Sequence, residues 1–79
     1  MTDDAILQVL RNQILAILPE LDPAEISLTR TLSELGLNSI DRTEVIILSM
    51  EELGLAIPVH EFRRGDTLAG IIAVLRRYT

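Results

Sequence analysis

Ser39 is the residue most open to chemistry. It follows Leu35-Gly36-Leu37-Asn38 and precedes Ile40-Asp41-Arg42-Thr43-Glu44. A glycine break leads into a polar pair, and a helix rich in acidic and aliphatic residues begins there. This places a hydroxyl at or just inside a helix N-terminus, where backbone N–H groups lack intrahelical partners and the helix dipole favours negative charge. A phosphate ester on Ser39 would sit in a favourable field. No neighbouring residue reads as a base that would make Ser39 a nucleophile by itself. His60 stands alone and reads as a cap or surface residue, since no Ser, Cys or Asp constellation supports it. One histidine and no cysteine exclude a His-based metal cluster, a thiolate metal site and disulfides. The Asn-Ser pair is also an ordinary helix N-cap. On the residues alone, two readings stay open: a modification site, or a cap and nothing more.

Three helices must position this pair. Residues 3 to 18 place Ile6, Leu7, Leu10, Ile14, Ile17 and Leu18 at helical spacing, with Thr2 or Asp3 to cap the start and Pro19 to stop the helix. Residues 19 to 37 are a long connection with two turn signatures. Asp22-Pro23-Ala24-Glu25 has a cap, a proline at the first helical position and an acid at the third, and Thr31-Leu32-Ser33-Glu34 repeats the capping-box spacing before Gly36. Ile26, Leu28, Leu32 and Leu35 are its apolar anchors. The second helix, 39 to 53, carries Asp41, Glu44, Glu51 and Glu52 on one broad side. Ile40, Thr43, Ile46, Ile47, Met50 and Leu53 form the other arc, and Val45 and Leu48 fall outside it. Its apolar surface is wider than one buried stripe requires, so part of it stays exposed; periodicity alone would bury Ile47 and Met50. Gly54 ends the helix, Ile57-Pro58 is extended, and Val59 to Arg64 predicts one short helical turn with Phe62 as a core plug. Asp66-Thr67 caps the last helix, 68 to 77, whose core stripe is Leu68, Ile71, Ile72 and Leu75.

Composition narrows the function classes. Seventy-nine residues make one small domain, and 48% hydrophobic residues allow one aliphatic core, with Phe62 and Tyr78 the only aromatics. Twelve acids face seven arginines and no lysine, a net charge of −5. That balance argues against nucleic-acid binding and favours basic protein partners. No signal peptide or membrane-spanning run is visible, so the expected location is the cytoplasm.

The run Leu-Gly-Leu-Asn-Ser-Ile-Asp, then Glu44, Met50-Glu51-Glu52-Leu53 and Ile57-Pro58, resembles the acyl carrier protein family over nearly the whole chain. In that family a Leu-Gly-x-Asp-Ser-Leu motif opens the second helix, and its serine is modified with 4′-phosphopantetheine. The resemblance implies an all-α fold, a small acyl-carrier-type bundle of three main helices plus one short helix with a long first loop, and a single carrier domain over residues 1–79. It implies Ser39 as the attachment site, Asn38 as the flanking cap, and no catalytic site of the chain's own. Its register turns Val45, Ile46, Ser49 and Leu53 inward. Ile40, Thr43 and Ile47 are left near the serine, rimmed by Asp41, Glu44 and Glu51 as a partner-docking surface. One departure stands out: Asn38 replaces the usual Asp, an acid associated in the family with recognition by the phosphopantetheinyl transferase and its metal ion.

Within the family, Asn-Ser-Ile-Asp-Arg with Ile57-Pro58-Val59-His60-Glu61-Phe62 is most similar to the freestanding donor carriers of polyketide β-branching. Those bring acetyl, formed from malonyl on the carrier, to a hydroxymethylglutaryl-synthase-like enzyme. The implied partners are that enzyme, the transferase, a ketosynthase-like decarboxylase and an acyltransferase, with the carrier a monomer. A fatty-acid or general polyketide carrier is the near alternative, and an unmodified helical interaction module the distant one. A donor of so short a group needs no deep chain-binding cavity.

Overall fold

Ile6, Leu10 and Ile14 recur once per helical turn, and all three are fully enclosed. They lie on α1 (Asp3–Ile17), the helix against which the other two pack. The computed structural model describes residues 2–63 and 65–79. Thr2 is the cap: its hydroxyl accepts from the Ala5 amide at 3.2 Å, and Asp3 and Asp4 occupy the positive end of the helix. Leu7, Ile17 and Leu18 are only half-buried, so the enclosed stripe is narrower than the expected six residues. The helix ends at Ile17, with Leu18 as its C-cap just before Pro19.

The long connection is pinned by its own backbone. Asp22 caps a 3₁₀ turn, Pro23–Glu25, and Ile26, Leu32, Leu35 and Leu37 are buried. Leu28, an expected anchor, is exposed. The group that holds this point is its carbonyl, which accepts from the Ala69 amide at 3.0 Å, while the Arg30 carbonyl accepts from the Leu68 amide at 2.9 Å. The first loop therefore satisfies donors at the start of α3 (Leu68–Arg77) that would otherwise lack partners. Thr67 covers a third, accepting from the Gly70 amide at 3.3 Å.

The expected capping box is present. The Thr31 amide donates to the Glu34 carboxylate at 2.9 Å, and the Glu34 amide to the Thr31 hydroxyl at 3.1 Å. The bond from the Thr31 amide, followed by that with its hydroxyl, holds the Glu34 carboxyl below the usual carboxylate range. A carboxyl lowered by folding stabilises the fold above its unfolded value, and that contribution is lost as pH falls through its folded value. We expect acidification through and below the ordinary carboxylate range to shift the Thr31 amide resonance in step with Glu34. A Thr31 amide indifferent to Glu34 protonation would disprove the coupling.

Between these elements runs α2 (Ser39–Leu53). It closes on Gly54, whose φ of 71° suits glycine, with the Leu55 amide donating to the Met50 carbonyl at 2.8 Å. Val45 and Ser49 are fully enclosed, Met50 is buried, Ile46 and Leu53 are half-buried, and Ile47 is exposed. The family register thus holds for Val45, Ser49 and Ile47, and periodicity holds for Met50. The Ser49 hydroxyl is buried with no hydrogen-bond partner among the described residues. Since an unmet buried hydroxyl is destabilising, Ser49→Ala should raise stability by about 1 kcal/mol, read as a higher denaturation midpoint. A fall of that size would show that the hydroxyl is satisfied.

After Ile57, buried, and Pro58 comes the 3₁₀ turn Val59–Glu61, with Phe62 half-buried against the core. This turn stands where a short fourth helix was expected to reach Arg64; Arg64, and with it half of the Arg63-Arg64 pair, lies outside the described residues. His60 is a surface residue and not a cap, its Nε2 3.9 Å from the Glu61 carboxylate. In α3, Leu68, Ile71, Ile72 and Leu75 are buried as expected, joined by Val74. The architecture is all-α: three helices and two 3₁₀ turns among the described residues.

Candidate functional site

Leu35 and Leu37 are buried, and with them the loop is fastened to the core immediately before α2. Gly36, at φ 104°, supplies the turn between them, and the Leu37 amide donates back to the Leu32 carbonyl at 3.1 Å. The next three residues stand out from this anchor: Asn38, Ser39 and Ile40 are all exposed. Asn38 is the N-cap. Its Oδ1 accepts from the Asp41 amide at 2.8 Å, and its carbonyl accepts from the Arg42 amide at 2.9 Å. Ser39 is therefore the first helical residue, not the cap, and its hydroxyl is free of capping duty. The amides of Ser39 and Ile40 have no protein acceptor among the described residues. An exposed hydroxyl beside two unpaired amides at the positive end of a 15-residue helix fits a phosphodiester.

The surface around Ser39 continues along one side of α2. Ile40 is 78% exposed and Ile47 39%, with Thr43 exposed between them and its hydroxyl donating to the Ser39 carbonyl at 3.0 Å. Glu44 and Glu51 are exposed and Asp41 is half-buried. Glu52, on the same acidic side by spacing, is instead drawn to α1, accepting from the Gln13 side chain at 3.0 Å. Val59, 64% exposed, joins the apolar surface from the second 3₁₀ turn, and sequence reading had given it no role. Alternation would have misled here, since residues 57 and 59 of an extended piece share a face; Val59 is exposed because it begins the 3₁₀ turn Val59–Glu61.

Between α2, this turn and the start of α3 lies a cavity of about 80 Å³, lined in part by Thr43, Ile46, Ile47, Val59, Phe62 and Ile71. The cavity opens to solvent beside Thr43, Ile47 and Val59, all of them exposed. Among the described residues, no group of three His, Cys, Asp or Glu side chains is placed to hold a metal ion. Among the same residues, no helix is long and apolar enough to cross a membrane.

Residues 8–75 match the family model described as the phosphopantetheine attachment site. The chain is 41% identical over 75 residues to the polyketide biosynthesis acyl-carrier-protein AcpK of Bacillus subtilis (strain 168), an alignment covering 95% of this chain and 92% of that one. The chain belongs to the acyl carrier protein family. Its prosthetic group is thus 4′-phosphopantetheine, and like its relatives it is a carrier without catalytic activity of its own. The carrier is also similar to a chain in the crystal structure of the curacin biosynthetic pathway HMG synthase in complex with acetyl donor-ACP. That likeness has a TM-score of 0.84 at 28% identity and covers 95% of the carrier and 96% of that chain. The TM-score and the coverage make it a likeness of nearly the whole fold.

Proposed function

We propose that Ser39 carries the 4′-phosphopantetheine arm and that residues 1–79 act as one domain in polyketide biosynthesis. In this reading the carrier presents an acetyl thioester, formed from malonyl, to a hydroxymethylglutaryl-synthase-like enzyme for β-branching. Two observations support it. Ser39 is exposed at the first position of α2 with unpaired amides around it, and the whole fold is similar to a chain solved in complex with an HMG synthase as acetyl donor. The kinship to a polyketide carrier over nearly the full chain supports the polyketide part of this reading.

The arm supplies a thiol that holds the acyl group as a thioester. The chain's own residues do the rest. Asn38 fixes the first turn and leaves the Ser39 and Ile40 amides free to donate to a phosphodiester on Ser39. Asp41, Glu44 and Glu51 steer encounters with basic partner surfaces, and Ile40, Thr43 and Ile47 give short-range contact. Tethering raises the effective concentration of the acyl group at each docked enzyme. The upstream partners in this reading are a phosphopantetheinyl transferase, an acyltransferase and a ketosynthase-like decarboxylase, all in the cytoplasm, with the carrier a monomer.

The test is reconstitution. Acetyl-loaded carrier is mixed with a hydroxymethylglutaryl-synthase-like enzyme and a second carrier bearing a β-ketoacyl group, and the acetyl mass is followed. Transfer from this chain to the β-ketoacyl partner supports the donor role. An acetyl carrier inert with that enzyme but competent with a chain-extending ketosynthase would replace it with a general polyketide or fatty-acid role.

A further inference from the structure

The 3₁₀ turn that carries Val59 keeps its hydrogen bonds to itself. The Glu61 amide donates to the Pro58 carbonyl and the Phe62 amide to the Val59 carbonyl, both at 3.0 Å. Just beyond the turn, the Arg63 amide donates to the Asp66 carboxylate at 3.1 Å, and the Asp66 amide to the Arg63 carbonyl at 3.2 Å. Among the described residues from 56 to 66, one hydrogen bond leaves the segment. It is made by the Arg77 guanidinium, at the end of α3, which donates to the Glu61 carboxylate at 3.1 Å. Arg77 is placed for this by helical spacing: Gly70, Val74 and Arg77 follow one face of α3 and line a cleft with His60, Glu61 and Arg63. His60, 3.9 Å from the other Glu61 oxygen, lies on the same turn and cannot tie it to a helix. The remaining anchors are apolar, the buried Ile57 and the half-buried Phe62.

We infer that the Glu61–Arg77 ion pair is a clasp that positions Val59, so that Val59 meets the acceptor enzyme as a third aliphatic contact beside Ile40 and Ile47. The inference rests on the docking surface and the donor role proposed above. Val59 borders the cavity mouth together with Thr43 and Ile47 of α2, so an apolar partner surface that covers Ile47 reaches Val59 as well. A segment with few bonds to its neighbours shifts at low cost. Holding Val59 in place before contact spares the enzyme the cost of ordering it. Arg77 is exposed and Glu61 half-buried, and an ion pair of that kind adds little to global stability. A local task suits its size, because the pair has only to favour one placement of a short turn. A factor of a few in the population of the docking-competent placement returns as the same factor in apparent affinity. Glu61 and Arg77 are thus positioning residues, and neither has to touch the partner.

The test uses the full chain, loaded with acetyl and verified by intact mass. Glu61→Ala and Arg77→Met each break the pair, and the second keeps most of the stem. Both should speed hydrogen exchange at the Glu61 and Phe62 amides by about three- to fivefold, the range open to an exposed ion pair, and leave the Ser49 amide of α2 unchanged. Both should raise the carrier's KM in acetyl transfer to the hydroxymethylglutaryl-synthase-like enzyme by a similar factor, with kcat unchanged. Exchanging the charges, Glu61→Arg with Arg77→Glu, should restore most of both properties. In a Val59→Ala carrier the two substitutions should raise KM no further, because the clasp acts through that side chain. KM changes of opposite sign in the two variants would mean that the charges meet the partner directly, and would overturn the clasp. Effects that add in full to Val59→Ala, or faster exchange with an unaltered KM, overturn this inference alone. A Val59→Ala carrier with unimpaired transfer removes Val59 from the docking surface and the inference with it. A wild-type chain that transfers no acetyl overturns the donor reading together with this inference.

Discussion

Ser39→Ala is expected to abolish loading of the phosphopantetheine arm completely while the fold persists. In the proposed reading the hydroxyl takes up the phosphopantetheinyl group and becomes part of a phosphodiester, and alanine offers no oxygen in its place. The fold should survive because the structure divides the two duties of the Asn-Ser pair. Asn38 holds the cap bond to the Asp41 amide at 2.8 Å, and Ser39 is the residue after it. Loss of an N-cap costs about 0.5–2 kcal/mol. That cost belongs to Asn38→Ala, and Ser39→Ala should leave the thermal midpoint nearly unchanged, since alanine is a good helix former at an exposed first-turn position. The measurement is intact-protein mass spectrometry after incubation with coenzyme A and a broad-specificity phosphopantetheinyl transferase, with circular dichroism on the same samples. A gain of one arm on wild type alone assigns the site. A gain on both would move it to another hydroxyl. No gain on folded wild type with several transferases would leave a helical interaction module in which Ser39 only begins a helix.

The three helices were legible because their ends are written in local chemistry. Thr2, Asn38 and Thr67 each cap a helix through a side-chain oxygen, and Gly54 closes α2 in the left-handed region. The Thr31-to-Glu34 box was equally readable, since both of its bonds span three residues. What the sequence could not show were interactions whose partners are distant along the chain. The Leu28 and Arg30 carbonyls meet the Leu68 and Ala69 amides only in the folded molecule, so Leu28 read as an anchor by its side chain when its backbone does the anchoring. The site shows the complementary case. Helical periodicity would bury Ile47, yet it borders solvent on the same side as Ile40 and Thr43. In the proposed reading the local rule breaks there because that surface is kept for a partner. Met50 went the other way: it is buried at the C-terminal end of α2, away from the serine, where spacing alone gave the right answer.

That exposed side sets the second large effect, in the paired substitution Ile40→Ala with Ile47→Ala. On an acetyl-loaded carrier it should slow transfer to the acceptor enzyme by about thirtyfold or more. Two aliphatic side chains seated centrally in an interface commonly contribute about 2 kcal/mol or more together, which corresponds to about that factor. The free carrier should lose about 1 kcal/mol and stay folded: Ile40 is 78% exposed and contributes little on folding, whereas Ile47, 39% exposed, is partly covered. The transferase must approach the same face, so both proteins have to be loaded to completion and checked by mass before transfer is timed. The loss should appear at low and high salt alike. The contribution of Asp41, Glu44 and Glu51, by contrast, should fade as salt screens their long-range attraction. Unimpaired transfer by the double variant would remove the aliphatic knobs from the docking surface and leave the acidic rim as its main determinant. A thermal midpoint lowered enough to unfold the sample would instead show that the two isoleucines belong to the core. Their exposure beside the serine argues against that outcome, and the same exposure is what a partner would cover.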